Sequence, residues 1–256
     1  MKDVTGIINS VESFGSVDGP GVRYMLFMQG CAMHCRYCHN PETWSMDGSK
    51  PLRMTPGEAF ANAKRYRAYW RKGGGVTISG GEAMLQIDFV TEFFRLCKTE
   101  DINTALDTSG NPFTYDEPYF SKVRALCDVT DLFILDIKHI DDAKHTALTG
   151  HTNANILEMA RFLSDNGNHM WIRHVLVPGL TTDVDDLKRL GEFISTLRNV
   201  DRVEVLPYHS LGIAKWDKLG LEYTLRDTKG PSQEQLDTAN RLLRTSEYNG
   251  YKKEYL

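Results

Sequence analysis

A mixed α/β chain folded as a partial (β/α)6 barrel is what this sequence predicts, on two observations. Six short apolar or β-branched runs alternate with amphipathic helical runs, the pattern of β-then-α units and a parallel sheet. Nearly every unusual polar residue or glycine falls just past the C-terminal end of one of those runs. In a barrel those ends converge on one mouth, where active sites form; an open sheet would spread them along an edge. The 256 residues suit one domain of this kind. Its expected parts are an N-terminal strand and glycine-rich loop (1–21), the barrel (22–210) and a C-terminal helical extension (211–256).

The elements follow in order. Ile7–Val11, read as a strand, and the glycine-rich loop Gly15–Gly21 form a first segment expected to cover one edge or end of the barrel. The barrel strands are Val22–Met28, Val76–Ser79, Asn103–Asp107, Leu132–Ile137, Met170–Val175 and Val203–Leu206, each short and apolar or β-branched. Thr55-Pro56-Gly57-Glu58 is a capping box with proline at the first helical position, opening a helix to about Trp70. Phe89, Phe93, Leu96 and Cys97 share one helical face, as do Phe120, Val123 and Cys127. Asp183–Leu197, with the stripe Leu187, Leu190 and Ile194, and Ser232–Arg244 are the later helices. No repeat or low-complexity linker interrupts the series.

Composition narrows the function classes. Hydrophobic residues make up 41%, the net charge is −4 and the pI about 6.1. No block of like charge stands out, which argues against a nucleic-acid footprint or an anionic-membrane patch. No apolar run approaches the roughly 20 residues of a membrane span. No export signal is read at the N-terminus, and the five cysteines are an odd number, so reduced thiols and a cytoplasmic location are expected.

Three of the five cysteines lie together in Gly30-Cys31-Ala32-Met33-His34-Cys35-Arg36-Tyr37-Cys38-His39-Asn40. One loop with thiolates at C-x3-C-x2-C spacing is a cradle for a soft metal. Zinc with His34 or His39 as fourth ligand is one reading, although no second C-x-x-C exists; a disulfide is another. A cubane of four irons and four sulfides held by three cysteines is the third, and it would leave one iron open for a substrate. Cys97 and Cys127 sit in apolar segments and read as small buried hydrophobes.

Other groups surround the same mouth. Ser79-Gly80-Gly81-Glu82 is either a tight strand-to-helix turn or a place where backbone approaches a ligand. It is no nucleotide P-loop, since no Gly-Lys-Ser/Thr follows. Asp107 and Asp136 end neighbouring strands, and Lys138 shares a face with Asp136, as a salt bridge or as site residues. Asp18 lies in a glycine-proline turn. Arg173 is a charge in an otherwise apolar strand and needs a partner or a ligand.

The three-cysteine run, with its aromatic Tyr37, resembles the cluster motif of the radical S-adenosylmethionine (SAM) enzymes. The resemblance implies a partial barrel, one [4Fe-4S] cluster on Cys31, Cys35 and Cys38, and SAM on the open iron. It also implies one-electron cleavage of SAM to methionine and a 5′-deoxyadenosyl radical. Tyr37, Cys38, His39, Gly80, Gly81, Glu82, Asp107, Asp136, Ile137, Lys138 and His209 become the expected SAM residues. Glu12–Gly15, Asp18–Arg23, Cys38–Pro41, Ser79–Glu82, Leu106–Gly110, Leu135–Lys138, Val177–Gly179 and Leu206–His209 together resemble the glycyl-radical-enzyme activases. No cysteine-rich insert occupies 41–75, and ribonucleotide reductase activases are much shorter, which points to pyruvate formate-lyase as the protein substrate. A flavodoxin or ferredoxin is the expected electron donor, and the chain is expected to be a monomer. Asp18, His39 and Arg173 are expected to hold the backbone of the partner's glycine loop. Since Asp107, Asp136 and the carboxylate of SAM would share one pocket, a hard cation on Asp107, Thr108 and Asp136 is also expected.

Overall fold

The structure is a computed structural model that describes residues 4–47, 51–70 and 73–250. Its elements run β1 (Gly6–Gly15), β2 (Arg23–Met28), β3 (Leu52–Met54), α1 (Pro56–Lys64), β4 (Gly75–Gly80), α2 (Ile87–Lys98), β5 (Asn103–Thr108), α3 (Tyr119–Cys127), β6 (Leu132–Asp136), α4 (Asp142–Thr149), α5 (Ala154–Asn166), β7 (Met170–Leu176), α6 (Val184–Ser195), β8 (Val200–Pro207), α7 (Ile213–Lys218) and α8 (Gln233–Leu242). The sheet order is β3-β1-β2-β4-β5-β6-β7-β8. The run from β2 through β8 is parallel, and β1 lies antiparallel to both its neighbours. The six expected barrel strands are therefore all present, each within a few residues of its expected bounds. The N-terminal strand covers the β2 edge as expected, and β3 is added outside it.

Strand alternation sorts the side chains into two layers. One row, with Val76, Ile78, Leu106, Phe133, Leu135 and Ile172, packs into the main core with the helices. The buried face of α2 (Phe89, Val90, Phe93, Phe94, Cys97) and that of α6 (Leu187, Leu190, Ile194) cover it. The opposite row carries a separate apolar cluster of Ala105, Leu132, Ile134 and Trp171. Toward the C-terminal strand ends this inner row turns polar: Ser79, Asp107, Asp136, Arg173 and Glu204. Register brings them side by side, with Asp136 opposite Arg173 and Arg173 opposite Glu204. The inner face thus carries an apolar patch below a charged mouth, with Arg23 buried at its base on Thr77 and Asn103.

One local expectation changes. The capping box forms, Thr55 accepting from the Glu58 amide and Glu58 from the Thr55 amide, but α1 stops at Lys64 and is followed by a single 3-10 turn at Arg67–Tyr69. The chain turns in to bury Trp70, whose carbonyl sits so close to Gly74 that a Cβ there would approach it to 2.0 Å. The helical face with Phe120 forms as α3, with Val123 and Cys127 buried. In the C-terminal extension α7 and α8 are described; residues 251–256 lie outside the described residues.

Candidate active site at the barrel mouth

The cysteine loop leaves β2 and is held on three sides. Gly30 donates to the Thr43 carbonyl at 2.7 Å and Cys31 to that of Trp44 at 3.1 Å. On a second side, His34 and Arg36 donate to the carbonyls of Thr149 and Leu148 at the end of α4. From α7, the Trp216 indole donates to the Cys38 carbonyl at 2.8 Å. The Gly80-Gly81 turn lies directly beneath. Gly80 has φ +118°, and a Cβ on it would come to 2.1 Å from the Met28 nitrogen; one on Gly81 would meet the Gly30 carbonyl at 2.2 Å. Both glycines are therefore required by backbone approach.

Cys31, Cys35 and Cys38 line one cavity of about 250 Å³ with Tyr37, His39, Ser79, Gly80, Gly81, Asp107, Asp136, Lys138 and Arg173. All three are free thiols, which removes the disulfide reading. Among the described residues no three His, Cys, Asp or Glu side chains converge at single-ion distance. Three soft sulfur donors sharing one cavity fit an iron–sulfur cluster. Burial, above all, pushes the thiols up, Cys35 to about 12. They keep their protons until a metal takes the sulfur, as expected of cluster ligands in a sheltered loop. Cys97 and Cys127 are buried in the helix layer, as expected.

The charged residues form two linked groups. Lys138 bonds Asp136 at 2.8 Å and lies 5.9 Å over the Tyr37 ring. Burial opposes its charge, but Asp136, Tyr37 and Cys35 outweigh burial and hold its pKa well above the ordinary lysine value. Arg173 donates to Asp18 at 2.6 Å, to Glu204 at 2.8 Å and to the Val17 carbonyl, and stands 3.9 Å from Asp107. Asp107 also accepts from Ser79 at 2.6 Å. Burial raises its carboxyl to about 7; Arg173 opposes this, while Asp136 and Asp18 add to it. The Asp18 loop therefore does more than cover an end: it reaches the inner face, where the Asp18 carbonyl also accepts from Thr77 at 2.7 Å.

His39 stacks on His209 with ring centroids 4.1 Å apart, and its Nε2 donates to the His209 carbonyl at 3.2 Å. That tautomer leaves Nδ1 as an acceptor. Burial, then His209, lowers the His39 pKa, so the ring is neutral near pH 7.

Three expected SAM residues do not line the cavity. Ile137 is fully buried, its amide donating to the Arg173 carbonyl at 3.0 Å and its carbonyl accepting from His174 at 2.9 Å. Glu82 is 2% exposed and accepts from the Met84 amide, the Thr108 hydroxyl, and the Ser109 amide and hydroxyl. Its carboxylate is a tie between the turns after β4 and β5. His209 reaches the site through His39. Of the groups expected around a cation, Thr108 already donates to Glu82, Asp136 accepts from Lys138 and Asp107 from Ser79. Sequence reasoning missed Met33, Trp44, Val175 and Leu206, which also line the cavity. Val175 and Leu206 carry a signal, since each is on the inner row at the C-terminal end of its strand; Trp44 carries none.

Comparison with known proteins agrees with this geometry. Residues 25–191 match the model of the Radical SAM superfamily. The chain is 50% identical over 252 residues to the pyruvate formate-lyase-activating enzyme of Streptococcus mutans serotype c (strain ATCC 700610 / UA159), covering 98% of this chain and 96% of that protein. It resembles a solved domain of a pyruvate-formate lyase-activating enzyme from Bacteroides vulgatus ATCC 8482, with TM-score 0.56, 24% identity and coverage of 69% of this chain and 97% of that one. Streptococcus suis SuiB, solved bound to S-adenosylmethionine, shares the fold at TM-score 0.62 and 16% identity, over 84% of this chain and 44% of that one. The thiol triad, the glycine turn and the near-full-length identity have one reading: the chain belongs to the radical SAM superfamily and, within it, to the family of pyruvate formate-lyase-activating enzymes.

Proposed function

We propose that this chain cleaves SAM reductively and removes a hydrogen atom from a glycine α-carbon of pyruvate formate-lyase, leaving a glycyl radical on that partner. The observation that carries this reading is one cavity lined by three free thiols, the glycine turn, the Asp136–Lys138 pair and Arg173. Cys31, Cys35 and Cys38 would hold the [4Fe-4S] cluster, and Lys138, Asp107 and the Gly80-Gly81 backbone would hold SAM. A bound cluster would supply the electron for SAM cleavage, the end products being methionine and 5′-deoxyadenosine that carries the glycine hydrogen.

The chain's own residues position and shelter this chemistry. Lys138 stays protonated in a buried setting, so it presents a fixed positive charge to a carboxylate. Ser79 fixes the Asp107 carboxylate, which suits it to accept from an ammonium group. Met33, Val175 and Leu206 supply an apolar lining that limits water at the mouth. Asp18, His39 and Arg173 would hold an extended glycine loop through its amides and carbonyls: His39 offers Nδ1 as an acceptor, Asp18 a carboxylate, and Arg173 a donor fork. A hard cation on Asp107, Thr108 and Asp136 belongs to the same reading, as do a flavodoxin or ferredoxin donor, a monomeric state and a cytoplasmic location. Among the described residues no helix is long and apolar enough to cross a membrane.

The test is anaerobic incubation of the reduced, iron-loaded protein with SAM and pyruvate formate-lyase. A glycyl radical in the EPR spectrum of the partner, with matching 5′-deoxyadenosine, is the expected result. SAM cleavage with no partner radical would assign the chain a different substrate.

A further inference from the structure

The Trp44 indole is placed as a hydrogen-bond donor with no acceptor. Its Nε1–H is buried and reaches no partner within bonding distance. A buried unpaired donor costs about 1–3 kcal/mol and calls for an explanation. Its orientation is not free. The ring stacks on His34 with centroids 4.4 Å apart and a 17° interplanar angle, and meets Trp216 edge-on at 5.0 Å. The Trp44 amide and carbonyl are both bonded, to Pro41 and Cys31. The side chain lines the same cavity as the three thiols.

The sulfur of Cys38 is the acceptor that fits. Trp216, which meets Trp44 edge-on at 5.0 Å, donates to the Cys38 carbonyl at 2.8 Å, and Trp44 and Cys38 line the same cavity. A neutral thiol is a weak acceptor, which accounts for a bond not yet closed. A thiolate is a strong one. Cys38 is thus the cysteine held against this aromatic group, with Trp216 on its carbonyl and Trp44 fixed between His34 and Trp216.

We propose that Trp44 is a positioning residue that sets the reduction potential of the metal cluster: its indole N–H donates to the Cys38 thiolate once that sulfur is on iron. A donor to a ligating sulfur stabilises the more negative, reduced state and so raises the potential. This rests on the reading of Cys31, Cys35 and Cys38 as cluster ligands, and iron and sulfide analysis of the native protein tests that reading separately.

The experiment compares native protein with Trp44→Phe and Trp216→Phe, all loaded anaerobically and checked for a full [4Fe-4S] complement before any potential is read. Trp44→Phe keeps the aromatic stack and loses the donor. At fixed solution potential its ratio of reduced to oxidised cluster should fall about tenfold, a downward shift of about 59 mV for one electron. Trp216→Phe removes a donor to the Cys38 carbonyl and should shift the potential less. Native protein labelled with indole-15N tryptophan should show 15N hyperfine coupling to the reduced cluster in pulsed EPR, and labelled Trp44→Phe should lose it. An unchanged potential in fully loaded Trp44→Phe overturns the proposal. So does the absence of indole 15N coupling in the native protein, a reading that stands even if the variant loads poorly.

Discussion

Arg173 and Asp18, 155 residues apart, are bonded to each other at 2.6 Å across the barrel's inner face. The sequence offers them as two separate holds on a partner's glycine loop, but in the free chain they are each other's ligands. The same guanidinium reaches Glu204 and stands 3.9 Å from Asp107. Arg173 is therefore shared between the expected peptide region and the expected SAM region.

That sharing makes the two truncations unequal. Asp18→Asn should raise KM for a glycine-loop peptide while the SAM Kd stays within about twofold. Arg173→Ala strips Asp18, Asp107 and Glu204 of their common cation, and breaking such a buried pair costs about 3–5 kcal/mol. Thermal unfolding should show that loss, and both peptide and SAM affinity should fall. Equal, peptide-only effects of the two variants would contradict the shared geometry.

Each of Cys31→Ala, Cys35→Ala and Cys38→Ala should lose the cluster and SAM cleavage while keeping the fold by circular dichroism. Cys97→Ala and Cys127→Ala remove sulfurs buried under the sheet and should retain the full iron load, with a stability cost of about 1 kcal/mol. Iron analysis of the five reconstituted variants decides the point.

Lys138→Ala should weaken SAM binding, since a hydrogen bond to a charged group contributes about 1.5–3 kcal/mol. That corresponds to a Kd roughly 10- to 150-fold higher by calorimetry or equilibrium dialysis. The cluster should still assemble, because Lys138 pairs with Asp136 and lies over Tyr37, away from any thiol's covalent role.

Cluster loading should be pH-dependent, with a definite sign. The buried thiols have pKa values raised above those of free cysteine, Cys35 to about 12, so Cys31 and Cys35 are protonated across pH 7–9. Iron must displace each proton. Apparent iron affinity should then rise with pH throughout that range, by up to roughly tenfold per unit for each thiol displaced. Chelator competition at several pH values measures the slope; a flat profile would mean the thiols ionise before metal arrives.

Glu82→Ala should act first on stability. It leaves the Met84 amide and the donors of Thr108 and Ser109 without their acceptor. A cost of about 3 kcal/mol lowers Tm by roughly 6–12 °C in a chain of this size. Glu82→Gln, which keeps an acceptor oxygen, should recover part of it.

Local chemistry is what the sequence by itself determined. The C-x3-C-x2-C loop, the glycine pair, the Thr55 capping box and the six strand runs are each written within a dozen residues. Spacing, backbone freedom and periodicity act at that range. The shared face of Asp136 and Lys138 followed from strand alternation. Only the tertiary structure decided who bonds whom across long separations. It joined Asp18 to Arg173, turned Glu82 from the cavity toward Thr108 and Ser109, and brought Trp216 from the C-terminal extension onto Cys38. It also put the Trp44 indole beside the thiols. Nothing in the local sequence marks these pairings, because a buried polar group takes whichever partner the folded sheet and its loops deliver. That partner is settled when the strands come into register.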